Sequence, residues 1–103
     1  MKNIRGTEFR EILANTSDAV IIDVRTEGEV REGIIESALN IDIMQPGFAD
    51  KIREMDKDKT YLMVCRSGNR SGSACGFMEQ EGFKNVYNLV GGMMEWDGEV
   101  VAV

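Results

Sequence analysis

The chain has 103 residues, 43% hydrophobic and 29% charged, the size and mixture expected of one domain spanning residues 1–103. Twelve basic residues against 18 acidic ones give a net charge of −6, which argues against a nucleic-acid partner and against a polybasic membrane anchor. Histidine is absent and the only cysteines are Cys65 and Cys75, so Ser-His-Asp triads, Cys-His dyads, His-containing or four-Cys zinc sites and disulfide frameworks are all excluded.

The N-terminal run Met1–Glu8 lacks the apolar stretch of a signal peptide, and no window reaches the ~18 apolar residues of a membrane span. The expectation is a cytoplasmic protein with reduced thiols. Ile4 begins an edge strand. Thr7 is read as the N-cap of a helix over Glu8 to Ala14, with Phe9, Ile12 and Leu13 on its apolar face and Arg10 opposite. Val20–Val24 is short and β-branched and predicts a buried strand. Asp23 and Arg25 stand at its end, where they predict an ion-pair frame beneath the mouth of the sheet.

Ala38–Ile41 predicts a weaker strand. Phe48, Ile52 and Met55 recur at i, i+4 and i+7 after Pro46 and predict a helix. Asp56–Lys59 reads as a solvated turn. Tyr61–Val64 predicts a second buried strand. Ser71 to Glu81 predicts a helix with Ala74, Cys75 and Met78 on one stripe and Gly82 at its end. Val86–Val90 is a further strand. Trp96, a few residues past Gly91-Gly92, predicts an anchor for a short helix. This alternation implies an α/β layered fold with a mainly parallel sheet, whose sites lie at the carboxyl ends of strands. The seven methionines are too scattered for a thioether metal site, and no metal or cofactor is called for.

The chemistry concentrates in Cys65-Arg66-Ser67-Gly68-Asn69-Arg70-Ser71. A buried strand ends in a cysteine, a short polar loop follows, and a helix begins. That order aims backbone N–H groups and a helix N-terminus at the sulfur, which favours the thiolate. Arg66 and Arg70 add positive charge, and the Ser71 hydroxyl is within reach of the sulfur. Cys75, on the apolar stripe of the next helix, is read as core.

Four segments resemble the rhodanese family of sulfurtransferases, in order along nearly the whole chain. They are Ile22-Asp23-Val24-Arg25, Gly33 through Ile41, the loop Cys65–Arg70, and Leu89-Val90-Gly91-Gly92-Met93-Met94-Glu95-Trp96. Three positions depart from the family habit: Ile34 stands where histidine is common, Ser37 where glycine is common, and Val30 where an aromatic is common. The resemblance implies a three-layer fold, with a mainly parallel central sheet flanked by helices. It further implies a Cys65 persulfide that carries a sulfane sulfur from a small anionic donor, such as thiosulfate or a persulfide, to a thiol, cyanide or protein acceptor. Cys65 would be the nucleophile, and Arg66, Ser67, Gly68, Asn69, Arg70 and Ser71 would bind substrate. Asp23, Arg25 and Trp96 would support the site. Alternatives on the same fold are a phosphatase or arsenate reductase, and a non-catalytic regulatory or docking module. Phosphatase loops place an arginine after five intervening residues, whereas that position here is Ser71.

Overall fold

The computed structural model describes all of residues 1–103. Its elements are β1 (Lys2–Ile4), α1 (Gly6–Asn15), β2 (Val20–Asp23), α2 (Glu27–Val30), β3 (Leu39–Asn40), α3 (Phe48–Arg53), β4 (Thr60–Val64), α4 (Asn69–Gln80), β5 (Asn85–Leu89) and α5 (Gly92–Glu95). The five strands form one sheet in the order β1-β5-β4-β2-β3, and every pairing is parallel. No helix is long and apolar enough to cross a membrane.

Side chains of a strand alternate between its faces, and that alternation sorts the core into two layers. Ile22, Tyr61, Met63 and Cys65 face Phe48 and Ile52 of α3 and Ala74, Cys75 and Met78 of α4. Ile21, Leu62, Val64 and Leu89 face Phe9 of α1, with Met93 of α5 and Trp96 packed alongside. β4 is central and buried along its whole length, so it reads as an unbroken apolar run. In parallel pairing Met63 lies beside Ile22 and Asn88, and Asn88 lies beside Asn3. These residues share one face, so a polar row from β1 and β5 ends next to the α4 layer.

Several expectations from sequence need correction. α1 begins at Gly6 with Arg5 as its N-cap, so Thr7 lies inside the first turn and caps nothing. Leu13 is exposed, and Arg10, although exposed as expected, is not without partners. Its guanidinium stacks over the Trp96 ring at 4.7 Å and pairs with Asp97, because Trp96 folds back onto α1. α3 ends at Arg53, and Met55 packs against the core from beyond the helix. α4 starts at Asn69, two residues before Ser71. The turn at Asp56–Lys59 is present, closed by Asp58 N–H on Asp56 Oδ1 at 2.9 Å.

α2 went unread, although its start is written in the chain. The Thr26 hydroxyl accepts from the Glu29 N–H, and the Glu29 carboxylate accepts from the Thr26 N–H, a capping box. The C-terminal segment also returns to the body of the fold, where Ile34 and Val101 form an antiparallel bridge.

Ser37 is the one non-glycine residue with positive φ, at 71°, in a turn closed by Ala38 N–H to Ile35 C=O at 3.0 Å. A side chain there crowds its own backbone, a conformation that glycine adopts without that cost. Ser37→Gly is expected to stabilise the protein by roughly 0.5–1 kcal/mol, the relief of strain outweighing the added freedom of the unfolded chain. A thermal melt should show a midpoint a few degrees higher, and an unchanged or lower midpoint would contradict the strain.

Candidate active site

The site is built where β4 stops. Cys65 follows the last strand residue and continues the alternation that put Tyr61 and Met63 on the α4 face, so its side chain turns towards the start of α4. The chain then reverses through Arg66 and Ser67 to Gly68, which takes φ 98° and begins the helix without any side-chain cap. The first-turn N–H groups of a helix have no partners within it. Here they meet a sulfur atom. The Gly68 N–H donates to Cys65 Sγ at 3.0 Å, and the Ser71 Oγ lies 3.3 Å from the same atom.

Burial alone would push the Cys65 thiol up. The Ser71 hydroxyl and the N–H groups of Ser71, Gly68 and Ser67 outweigh that and hold it below the ordinary thiol value. Cys65 has no exposed surface, so a reactant reaches Sγ only when the loop shifts or the side chain rotates. Cys75 lies in the same core layer with only its own backbone N–H as a donor, and burial pushes it up to about 12. The two free thiols therefore differ by their surroundings alone.

The loop is clamped from below by α5. The N–H groups of Met93 and Met94 donate to the carbonyls of Cys65 and Arg66, each at 2.9 Å. This contact turns the two carbonyls away from the sulfur and leaves the loop N–H groups to face it. It also explains the second of the paired glycines. Gly92 has φ 53°, and a methyl group on it would overlap the Cys65 and Arg66 carbonyl oxygens.

Behind the loop stands Asn88, which the sequence reading missed. Its Nδ2 donates to Gly68 C=O at 3.1 Å and to Asn3 Oδ1 at 3.0 Å, and its Oδ1 accepts from the Ser71 hydroxyl at 2.5 Å. Buried at 5% exposure, it joins β1, β5 and the turn into α4. A buried asparagine inside the apolar run Val86–Val90 was the available signal.

The two loop arginines have different partners. Arg66 is exposed and makes no ion pair. Arg70 forms a two-pronged pair with Glu29 of α2, at 2.7 and 2.8 Å. The hydrogen bond from Arg70 holds the Glu29 carboxyl down at about 2, against a smaller opposing effect of burial. Glu29 is a further residue that sequence reading left without a role at this site, although Thr26-x-x-Glu29 is legible as a capping box. Ser67 and Asn69 are exposed at the loop rim.

Asp23 and Arg25 form a buried pair, with the Arg25 Nη2 2.8 Å from Asp23 Oδ2 and also 2.8 Å from Gly33 C=O. The side chains are 1% and 7% exposed, so this is an interior frame and not a surface pair. It fastens the end of β2 to the Gly33 turn, and none of its hydrogen bonds reaches residues 65–71. Trp96 is half-buried, edge-on to Phe9 at 5.3 Å, and anchors the end of α5 against α1. It also lines a shallow groove with Arg66, Met93 and Met94. No cluster of three or more His, Cys, Asp or Glu side chains is placed to hold a metal ion.

A strand-to-helix cysteine loop over a five-stranded parallel sheet has counterparts among known proteins. The family model of the rhodanese-like domain matches residues 6–99. The chain is 39% identical to YtwF of Bacillus subtilis over 99 residues, covering 96% of this chain and 93% of that one. It is 37% identical to a sulfurtransferase of Allochromatium vinosum over 96 residues, covering 93% and 88%. The crystal structure of a rhodanese-like domain protein from Staphylococcus aureus matches with a TM-score of 0.86 at 30% identity, covering 100% of this chain and 99% of that one. The chain belongs to the rhodanese-like domain family.

Two outcomes follow from this geometry. Between its lowered value and the ordinary thiol value, Cys65 binds fewer protons in the folded chain than in the unfolded one, so it adds stability as pH rises through that interval. The alkylation rate of native protein against pH should therefore show one thiol with a midpoint below that of a free cysteine. Ser71→Ala should move that midpoint up, and Cys75 should react only after denaturation. A Ser71→Ala profile superimposable on the parent would remove the hydroxyl from the account. Gly92→Ala should cost roughly 2–4 kcal/mol in a denaturant titration, because backbone must move to admit the methyl group.

Proposed function

We propose that the protein is a sulfurtransferase in which Cys65 carries the sulfur as a persulfide. The observation that carries this reading is Sγ at the floor of an N–H cradle, 3.0 Å from the Gly68 nitrogen at the start of α4. Such a cradle stabilises a negative charge on sulfur without histidine or metal. The sulfurtransferase among the relatives supports the reaction class.

In the first step the Cys65 thiolate attacks the sulfane sulfur of thiosulfate. An S–S bond forms to the enzyme as the bond to the sulfonate sulfur breaks, and its electron pair leaves on sulfite. The product is a Cys65 persulfide anion whose outer sulfur takes up the N–H donors. In the second step an acceptor such as cyanide attacks the outer sulfur. A carbon–sulfur bond forms, the S–S bond breaks, and the thiolate is regenerated with release of thiocyanate. Thiol acceptors or a protein acceptor follow the same course, giving a new persulfide. No electron is gained or lost overall, so neither redox cofactor nor metal is required by the scheme. Arg66, exposed and unpaired, is the side-chain cation that meets an arriving anion.

The short loop bears on phosphorus chemistry. With four residues between Cys65 and Arg70, the ring of N–H groups is smaller than a tetrahedral phosphoryl group requires. Arg70, the cation that would hold a phosphoryl oxygen, is already held by Glu29.

Incubation with thiosulfate should raise the intact mass by one sulfur atom, and cyanide should reverse the gain. Cys65→Ser should abolish both while its thermal midpoint stays near the parent's, since the change removes the nucleophile and almost no volume. An aryl phosphate should not be hydrolysed. Sulfur uptake by Cys65→Ser, or phosphate hydrolysis without any sulfur uptake by the parent, would overturn the assignment.

A further inference from the structure

The loop carries two arginines but offers only one of them to a ligand. Glu29 Oε1 and Oε2 each accept from a different guanidinium nitrogen of Arg70, at 2.7 and 2.8 Å, a two-pronged arrangement stronger than a single contact. The two side chains are 26% and 30% exposed, so the pair is partly shielded from water. Glu29 is itself held in place, because Oε1 also accepts from the Thr26 N–H and hydroxyl at 3.2 Å in the capping box of α2. A substrate anion would have to break a prearranged pair to recruit Arg70. Arg70 nonetheless senses the site. The Glu29 hydrogen bond is the main cause that raises its pKa, and the negative charge of Cys65 contributes in the same direction. What the pair presents to the cradle is thus a net charge near zero.

We propose that Glu29 is a specificity-determining residue that, by cancelling Arg70, tunes the site to singly charged sulfane-sulfur donors over the dianion thiosulfate. The class meant is thiosulfonates and organic persulfides. This inference rests on the sulfur-transfer reading and deepens it. A singly charged donor is met by Arg66, the peptide dipoles and the helix terminus. A second negative charge finds no second unpaired arginine in the loop, in a chain whose net charge is already −6. Glu29 touches no reacting atom in this scheme and acts through Arg70.

The test compares two donors of different charge with cyanide as common acceptor. Thiosulfate releases sulfite. Methanethiosulfonate, a monoanion, delivers the same sulfane sulfur to Cys65 and releases methanesulfinate. The readout is the ratio of kcat/KM for thiosulfate to that for methanethiosulfonate, in the parent, E29Q, R70Q and the double variant. The amide introduced by E29Q retains an oxygen for the Thr26 N–H while removing the charge. E29Q should raise the ratio on the order of fivefold, as expected for one unit charge acting on one extra unit charge at loop distance. R70Q should lower it by a similar factor, and the double variant should return to the parental ratio. All three differences should shrink at high ionic strength.

A latch that merely held the loop in shape would lower turnover with both donors and leave the ratio flat. That outcome, or a double variant that keeps the R70Q ratio, would overturn the inference while leaving sulfur transfer intact. R70Q tests the opposite sign by itself should E29Q lose its fold. Absence of sulfur uptake from both donors in the parent would instead overturn the sulfurtransferase reading, and the inference with it.

Discussion

A negative charge on a buried sulfur must be met by something, and around Cys65 the groups placed to meet it are peptide dipoles. With no imidazole and no metal ligand set, the compensation falls to the N–H groups of Ser67, Gly68 and Ser71 and to the Ser71 hydroxyl. Those groups converge only if the loop carbonyls face elsewhere. The contact with Met93 and Met94 of α5 holds two of them away, and Asn88 holds the carbonyl of Gly68. The surroundings of the Cys65 sulfur thus depend on backbone orientation, which is set by the elements on both sides of the loop.

The sheet order supplies both supports. β4 is central, flanked by β5 and β2, so a loop leaving its end is reached from the β5 side by Asn88 and by the turn into α5. From the β2 side comes α2, whose Glu29 reaches Arg70. The buried Asp23–Arg25 pair fixes the Gly33 turn beyond α2, one step removed from the cysteine loop. Arg25 Nη1 also reaches the Glu29 C=O at 3.5 Å, so this frame restricts where α2 can sit.

Ser71 stands between two acceptors with a single hydroxyl proton. Its oxygen is 2.5 Å from Asn88 Oδ1 and 3.3 Å from Sγ. Both Asn88 amide hydrogens are already given to Asn3 and Gly68, so Oδ1 is fixed as an acceptor. The hydroxyl can therefore serve the sulfur fully only by leaving Asn88. Charge on Cys65 is coupled in this way to a polar row that runs through β5 to the first strand.

Local order along the chain was enough to read the strands, the main helices and the cysteine loop. A β-branched run ending in Cys65, one glycine, and an amphipathic stretch with Cys75 on its stripe dictate a strand, a turn and a helix through nearest-neighbour chemistry. The strand-to-helix reversal that forms the N–H cradle is equally local, whereas the carbonyls it must turn away are held by Asn88, Met93 and Met94 from later in the chain. Even α2 was within reach through Thr26 and Glu29. What the one-dimensional pattern did not contain was which charges meet. Glu29 and Arg70 lie 41 positions apart, and Asn3 and Asn88 lie 85 apart. The stacking of Arg10 on Trp96 is equally invisible along the chain, because the ring arrives from the other end of it. Helical and strand periods are properties of a segment and survive in the sequence. Ion pairs and polar rows are properties of strand order and register, and those exist only once the sheet has closed around its core.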